Sequence, residues 1–154
     1  MPCRHQQLSA IVASIAVVLL AACGEGRLSK SGYEQKVRSA YEDVRVAFRQ
    51  TNVALDKLPT RIAAAQAQLR EAADELEHAK SPKQVEKQNE ELVEGLRAFA
   101  DDLDGLRKAA ERRDTGAVAA FNEGLPKNKE IEQIREAAEE IRGKGYDLGP
   151  IGKD

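Results

Sequence analysis

VEKQNEELVEGLRAFADDLDGLRKAA, residues 85–110, is the stretch whose reading decides the fold. Its apolar positions Val85, Leu92, Leu96, Phe99, Leu103, Leu106 and Ala110, with Asn89 among them, step alternately by four and three. Side chains at those spacings share one face of an α-helix, while Glu, Lys, Asp and Arg fill the opposite face. A helix with one apolar stripe must bury it against other elements. Gly95 and Gly105 cost this helix about 1 kcal/mol each relative to Ala, which tertiary contacts can offset.

The same rhythm recurs outward. Upstream, Lys80-Ser81-Pro82 is a clear break, with Ser81 placed to cap, Pro82 suited to the first helical position and Gln84 completing a box-like arrangement. Before it, Ile62, Ala65, Leu69, Ala72, Leu76 and Ala79 form a second seam, whose alanines suit close approach to a neighbour. Earlier still, Val37, Tyr41, Val44, Phe48, Thr51, Leu55 and Leu58 form a first seam, and Ser31 with Glu34 has capping-box spacing. Pro59 lies between the first two seams without a loss of phase. It marks either a turn between two helices or a kink in one long helix, and the break is favoured.

Downstream, Asp114-Thr115-Gly116 ends the third helix, and a short helix carrying Val118 and Phe121 runs to Gly124-Leu125-Pro126. A last helix carries Ile131, Ile134, Ala138 and Ile141 and stops at Gly143 and Gly145. The tail Tyr146–Ile151 holds three sizeable apolar side chains and is expected to dock on the bundle. No stretch alternates with period two, so no sheet is expected. The predicted fold is all-α: an antiparallel helical bundle of three main helices plus a short helix and a C-terminal helix.

The N-terminus carries different information. Leu8 to Ala22 is an uncharged apolar run after Arg4, and at about 1.5 Å per residue it reaches only some 22 Å as a helix. That is short of a ~30 Å hydrocarbon core and has the layout of a signal peptide. It closes on Leu20-Ala21-Ala22-Cys23, which resembles the lipobox of bacterial lipoproteins. The resemblance implies cleavage between Ala22 and Cys23 and a diacylglyceryl group on the Cys23 thiol. The expected organisation is then a cleaved signal over 1–22, a lipidated tether over 23–30 and a single helical domain over 31–154. Two or more acyl chains make a stable anchor, so the body is expected on the extracytoplasmic face of a cell membrane, held through the lipid on Cys23.

Composition narrows the partners. The chain has 24 Lys and Arg against 26 Asp and Glu, a balance of −2, and losing Arg4 with the signal takes it to −3. Both signs are interspersed, whereas nucleic-acid binding calls for a concentrated basic face, so no nucleic-acid partner is expected. Cys3 and Cys23 are the two cysteines of the chain; one leaves with the signal and the other takes the lipid, so no disulfide is expected.

Signs of catalysis are few. Glu75 and His78 make one Glu-x-x-His half-motif, but a bundle di-iron site needs a second, and the remaining histidine, His5, lies in the signal. Asp101, Asp102 and Asp104 sit within a helix and lack the spacing of a calcium loop. Ser29 and Ser31 have no assignable His and Asp. The expectation is therefore a non-enzyme with no cofactor and no metal site.

The body also resembles small helical lipoproteins of actinobacteria. The residues that carry the likeness are Ser81-Pro82 heading a helix, Glu91-Leu92-Val93-Glu94-Gly95-Leu96-Arg97, Ala100-Asp101-Asp102-Leu103, and the tail Gly145-Tyr146-Asp147-Leu148-Gly149-Pro150. What the resemblance implies is a surface lipoprotein without catalytic residues. The expected role is a scaffold or interaction module of the cell envelope with an envelope protein partner. Asn89 and Thr51 would be register-setting positions if the seams paired with another chain. The alternative is a carrier of an apolar ligand within the bundle. It requires a sizeable cavity lined by residues such as Phe48, Leu96 and Phe99, and the alanine-rich second helix argues against it.

Overall fold

The computed structural model describes residues 26–49 and 53–151. The lipobox residues Ala22 and Cys23, and Thr51 of the first seam, lie outside the described residues. Among the described residues there are five α-helices and no strand: α1 (Lys30–Arg49), α2 (Leu58–His78), α3 (Glu86–Glu111), α4 (Thr115–Gly124) and α5 (Lys129–Gly143). The protein is an all-α helical bundle. None of the described helices is long and apolar enough to cross a membrane.

Helix α3 is the centre of the bundle. It runs antiparallel to α2, as the bonds from Gln66 Nε2 to the Ala100 carbonyl (2.8 Å) and from Asn89 Nδ2 to the Leu76 carbonyl (3.2 Å) require. It also runs antiparallel to α5, since Gln88 bonds Glu140 while Asn128 bonds Asp102. Helix α1 packs chiefly on α2, so the four long helices follow the order α1, α2, α3, α5. The α3 seam is buried along its length, with Leu92, Ala100, Leu103 and Ala110 at 3% exposure or less.

Gly95 explains how α5 comes so close. A Cβ there would lie 2.8 Å from Cγ1 of Ile134, inside any real carbon contact. The glycine that costs the isolated helix its propensity is thus where the two helices meet. Gly105 faces open space.

The helix boundaries correct several readings of the sequence. Helices α1 and α2 are separate, so a single Pro-kinked helix is excluded; Pro59 sits in the first turn of α2, where its missing N–H deprives the helix of no bond. Leu55 belongs to the turn before α2 and Leu58 opens α2 itself, so neither extends α1. Ser29, not Ser31, supplies the first cap: its Oγ accepts from Gly32 N at 3.1 Å. Glu34 instead reaches the tail, accepting from the Asp147 amide at 2.8 Å. Ser81 is buried and makes no cap; a 3-10 turn, Lys83–Val85, leads into α3. Asp114 begins α4 by accepting from Ala117 N, and Asn128 does the same for α5 through Ile131 N.

The tail docks as expected. Tyr146, Leu148 and Ile151 are buried, and the Tyr146 ring meets that of Tyr33 edge-on at 5.8 Å. Gly145 and Gly149 make the reversals with φ of +87° and +68°, which a side chain would strain. Arg27 donates to the Ser81 carbonyl and to Glu86, and the Leu28 amide bonds the Lys80 carbonyl. The chain therefore enters the body against the α2–α3 turn.

Candidate functional site: an apolar groove

The two ends of the bundle are built differently. At the entry end the core is closed: Tyr33, Val85, Ala138, Ile141 and Leu148 have no exposure, and the tail bridges α1 and α5. Tyr33 OH donates to Asn89 Oδ1 at 2.9 Å and Asn89 donates to the Leu76 carbonyl, so the buried polar groups satisfy each other. Burial, and secondarily the neighbouring Tyr146, pushes the Tyr33 phenol well above its ordinary range. Asn89 thus fixes register within this chain.

Away from that end α1 and α5 stand apart. Between them runs a groove of about 870 Å³ floored by α2 and α3. The α2 floor is Ile62, Ala65, Leu69, Ala72 and Leu76, and the α3 floor is Leu92, Leu96, Phe99, Leu103 and Leu106. One rim is Tyr41, Val44 and Phe48 of α1, continued by Leu55 of the turn. The other is Ile131 and Ile134 of α5, joined by Val118 and Phe121 of α4 and by Leu125. Ile151 of the tail lines it too. The floor is buried while both rims are half-buried, so the trough opens between them. Phe48 reaches across its α1 rim to stack on Phe99 of the floor, centroids 5.8 Å apart and planes 13° from parallel.

Ala65 and Ala72 lie on the α2 floor at 1% and 4% exposure. Sequence reasoning takes alanines as a sign of close packing, and both are packed in the core. The open part of the trough lies above them, between the half-buried rims. Helix periodicity reveals which residues face inward but not how far apart two walls stand. Of the 27 lining residues, Arg45, Asn122 and Arg135 alone are polar or charged besides Tyr41. Arg45 bonds Glu42, and Arg135 bonds Glu132, each within its own helix.

The sequence candidates for chemistry are dispersed. Glu75 pairs with Lys36 at 2.7 Å, while exposed His78 places Nδ1 2.6 Å from the Asp74 carbonyl oxygen. Asp101 bonds Arg70, Asp102 accepts from Asn128, and Asp104 pairs with Arg107 and Lys108. Ser29 Oγ is occupied as a helix cap and lies 3.3 Å from Ser31 Oγ. Among the described residues no three His, Cys, Asp or Glu side chains gather as a metal site. A second hollow, between α2 and α3, is polar and crossed by Arg97, which clasps Asp74 and Glu77 at 2.7 Å each.

No family model matches the chain, and no curated protein or solved structure shows significant similarity to it.

Proposed function

We propose that this protein is a lipid-anchored, extracytoplasmic lipoprotein of the cell membrane whose helical body carries an apolar ligand in the groove. The observation that carries the reading is the groove itself: about 870 Å³, apolar on floor and rims, and open along one side. Its size lies in the upper part of the range of small-molecule sites, and its make-up, apolar walls with a few polar groups, is theirs as well. The lipobox resemblance at Cys23 supplies the anchor in this reading, and the function is non-enzymatic. A scaffold or interaction module remains the reading for the solvated outer faces, with an envelope protein as partner; the groove favours the carrier.

The test uses the protein purified from membranes of a bacterium that processes lipoproteins. Native mass spectrometry is expected to show a non-covalent apolar molecule in addition to the covalent lipid. Val44→Trp with Ile131→Trp, which narrows the trough from its two half-buried rims, should lose that extra mass and keep the covalent lipid. A wild-type protein that carries no added mass and takes up no apolar compound would end the carrier reading. Cys23→Ser tests the anchor separately: it should leave the body unattached or the precursor uncut.

A further inference from the structure

Resting on the carrier reading, we infer that α4 is a hinged wall of the groove, turning as a unit about Arg113 and Gly124 to let the ligand in and closing over it afterwards. The need for a moving wall comes from the floor. The floor residues of α2 and α3 are all at 9% exposure or less. Side chains of the rims therefore cover them, and the gap between the rims stops short of the floor. A sizeable apolar molecule reaches that floor only when a rim yields.

Three helices form the rims, and two of them are fastened. Helix α1 is tied to α2 by Lys36 and Glu75 at 2.7 Å and to the tail by Glu34, and its Phe48 stacks on Phe99. Helix α5 is tied to α3 by Gln133 Nε2 donating to the Glu91 carbonyl at 3.1 Å and by Gln88 donating to Glu140 at 2.8 Å, and its Ile134 packs on Gly95. Helix α4 has no such ties. It buries no residue, and among the described residues none of its side chains bonds another element. Val118 and Phe121, both half-buried against the core, hold it down.

Both ends of α4 are suited to turning. Arg113 has φ of +55°, a left-handed conformation that a side chain adopts at a steric cost. It stands where a helix end of this kind usually has glycine: the Arg113 amide bonds the Ala110 carbonyl and the Asp114 amide bonds the Ala109 carbonyl. Rotation of Arg113 loses those two bonds and releases the steric cost, so the two changes offset in part. At the other end a Cβ on Gly124 would meet nothing within 4 Å, and the 3-10 turn Leu125–Lys127 separates α4 from α5. Asn128 then donates to Asp102 at 2.9 Å, which keeps the start of α5 in place while α4 moves. Hinges commonly consist of a few such residues at element ends.

The experiment uses the full lipidated protein in phosphatidylcholine vesicles, with spin labels on cysteines at Ala119 of α4 and Ala67 of α2, both exposed. Double electron–electron resonance is expected to find two distances, wall shut and wall open. A control pair at Glu136 of α5 and Ala67 should give one distance. Val118→Ser, which weakens the hold on the core, should raise the open-to-shut ratio about fivefold. Arg113→Gly, which removes the cost of the shut conformation, should lower it by about as much. N-phenyl-1-naphthylamine, an apolar probe, should shift the wild type toward the shut distance. A single Ala119–Ala67 distance in wild type and Val118→Ser alike would overturn the hinge. Two distances for the control pair would overturn it as well, since the whole bundle would then be loosening. If native mass spectrometry finds a bound apolar molecule in either of those cases, the carrier reading stands and the hinge falls. Two Ala119–Ala67 distances in a protein that binds no apolar molecule would leave the hinge and end the carrier reading.

Discussion

Gly95 and Gly105 are ten residues apart on one helix and predict opposite outcomes. Gly95→Ala forces Ile134 or the α5 backbone to move, and overpacking of this kind costs about 1–3 kcal/mol. Gly105→Ala meets nothing within 4 Å and should add about 0.5–1 kcal/mol through helix propensity. Urea denaturation of the two variants checks both signs. From sequence the two glycines look alike, because propensity is local and the approach of α5 is not. Tyr33 gives a second test at this scale. Its phenol ionises well above the ordinary value of 10.0 in the folded protein because burial disfavours the charged form. The unfolded chain loses that proton first, so the stabilisation is complete below about pH 10 and declines as pH rises beyond it. Tyr33→Phe should flatten this alkaline loss. It should also cost about 1–3 kcal/mol at neutral pH, because Asn89 Oδ1 is left without its donor. Thermal melts of both proteins from pH 7 to 11 measure the two effects together.

Among the elements, α4 is the odd member. The other α-helices each bury at least three residues, while α4 buries none and contributes Val118 and Phe121 to the groove's rim. It is held by the Asp114 cap, by limited packing on α3 and by the turn into α5. Hydrogen exchange should therefore find α4 amides the least protected of the helices and α3 amides the most, with α4 slowing when the groove is filled. Equal protection of α3 and α4 would contradict this. Asn128→Ala is expected to cost about 1 kcal/mol, because it removes the α5 cap and the bond to Asp102 together. The elements themselves were legible in the sequence: seam spacing located α2, α3 and α5, and Pro and Gly located the breaks. Cap assignments were less so. Ser31 and Glu34 have the right spacing, but Glu34 is drawn to Asp147 across 113 residues of chain, which no local pattern can register.

At the scale of the whole molecule, the body should scatter as a compact particle. Scaling for its 126 residues from 26 to 151 gives a radius of gyration near 14 Å. A separated α1–α2 pair and a docked tail both require this, and small-angle scattering of a monomer well above about 20 Å would contradict it. The all-α fold follows from periodicity because each seam declares a buried face. The groove does not, because it arises from the separation of α1 and α5, set by Gly95, Phe48 and the tail jointly. A seam that faces a neighbour and a seam that faces a trough have the same letters.

Ala65 and Ala72 carry a consequence for where this body tolerates change. Both are almost fully covered, at 1% and 4% exposure, so a larger side chain there must push its neighbours aside and should cost about 1–3 kcal/mol. Val44, Val118 and Ile131 on the rims are half-buried and have room to grow. The width of the trough is therefore adjustable from its rims and not from its floor, with the helices and their order left in place.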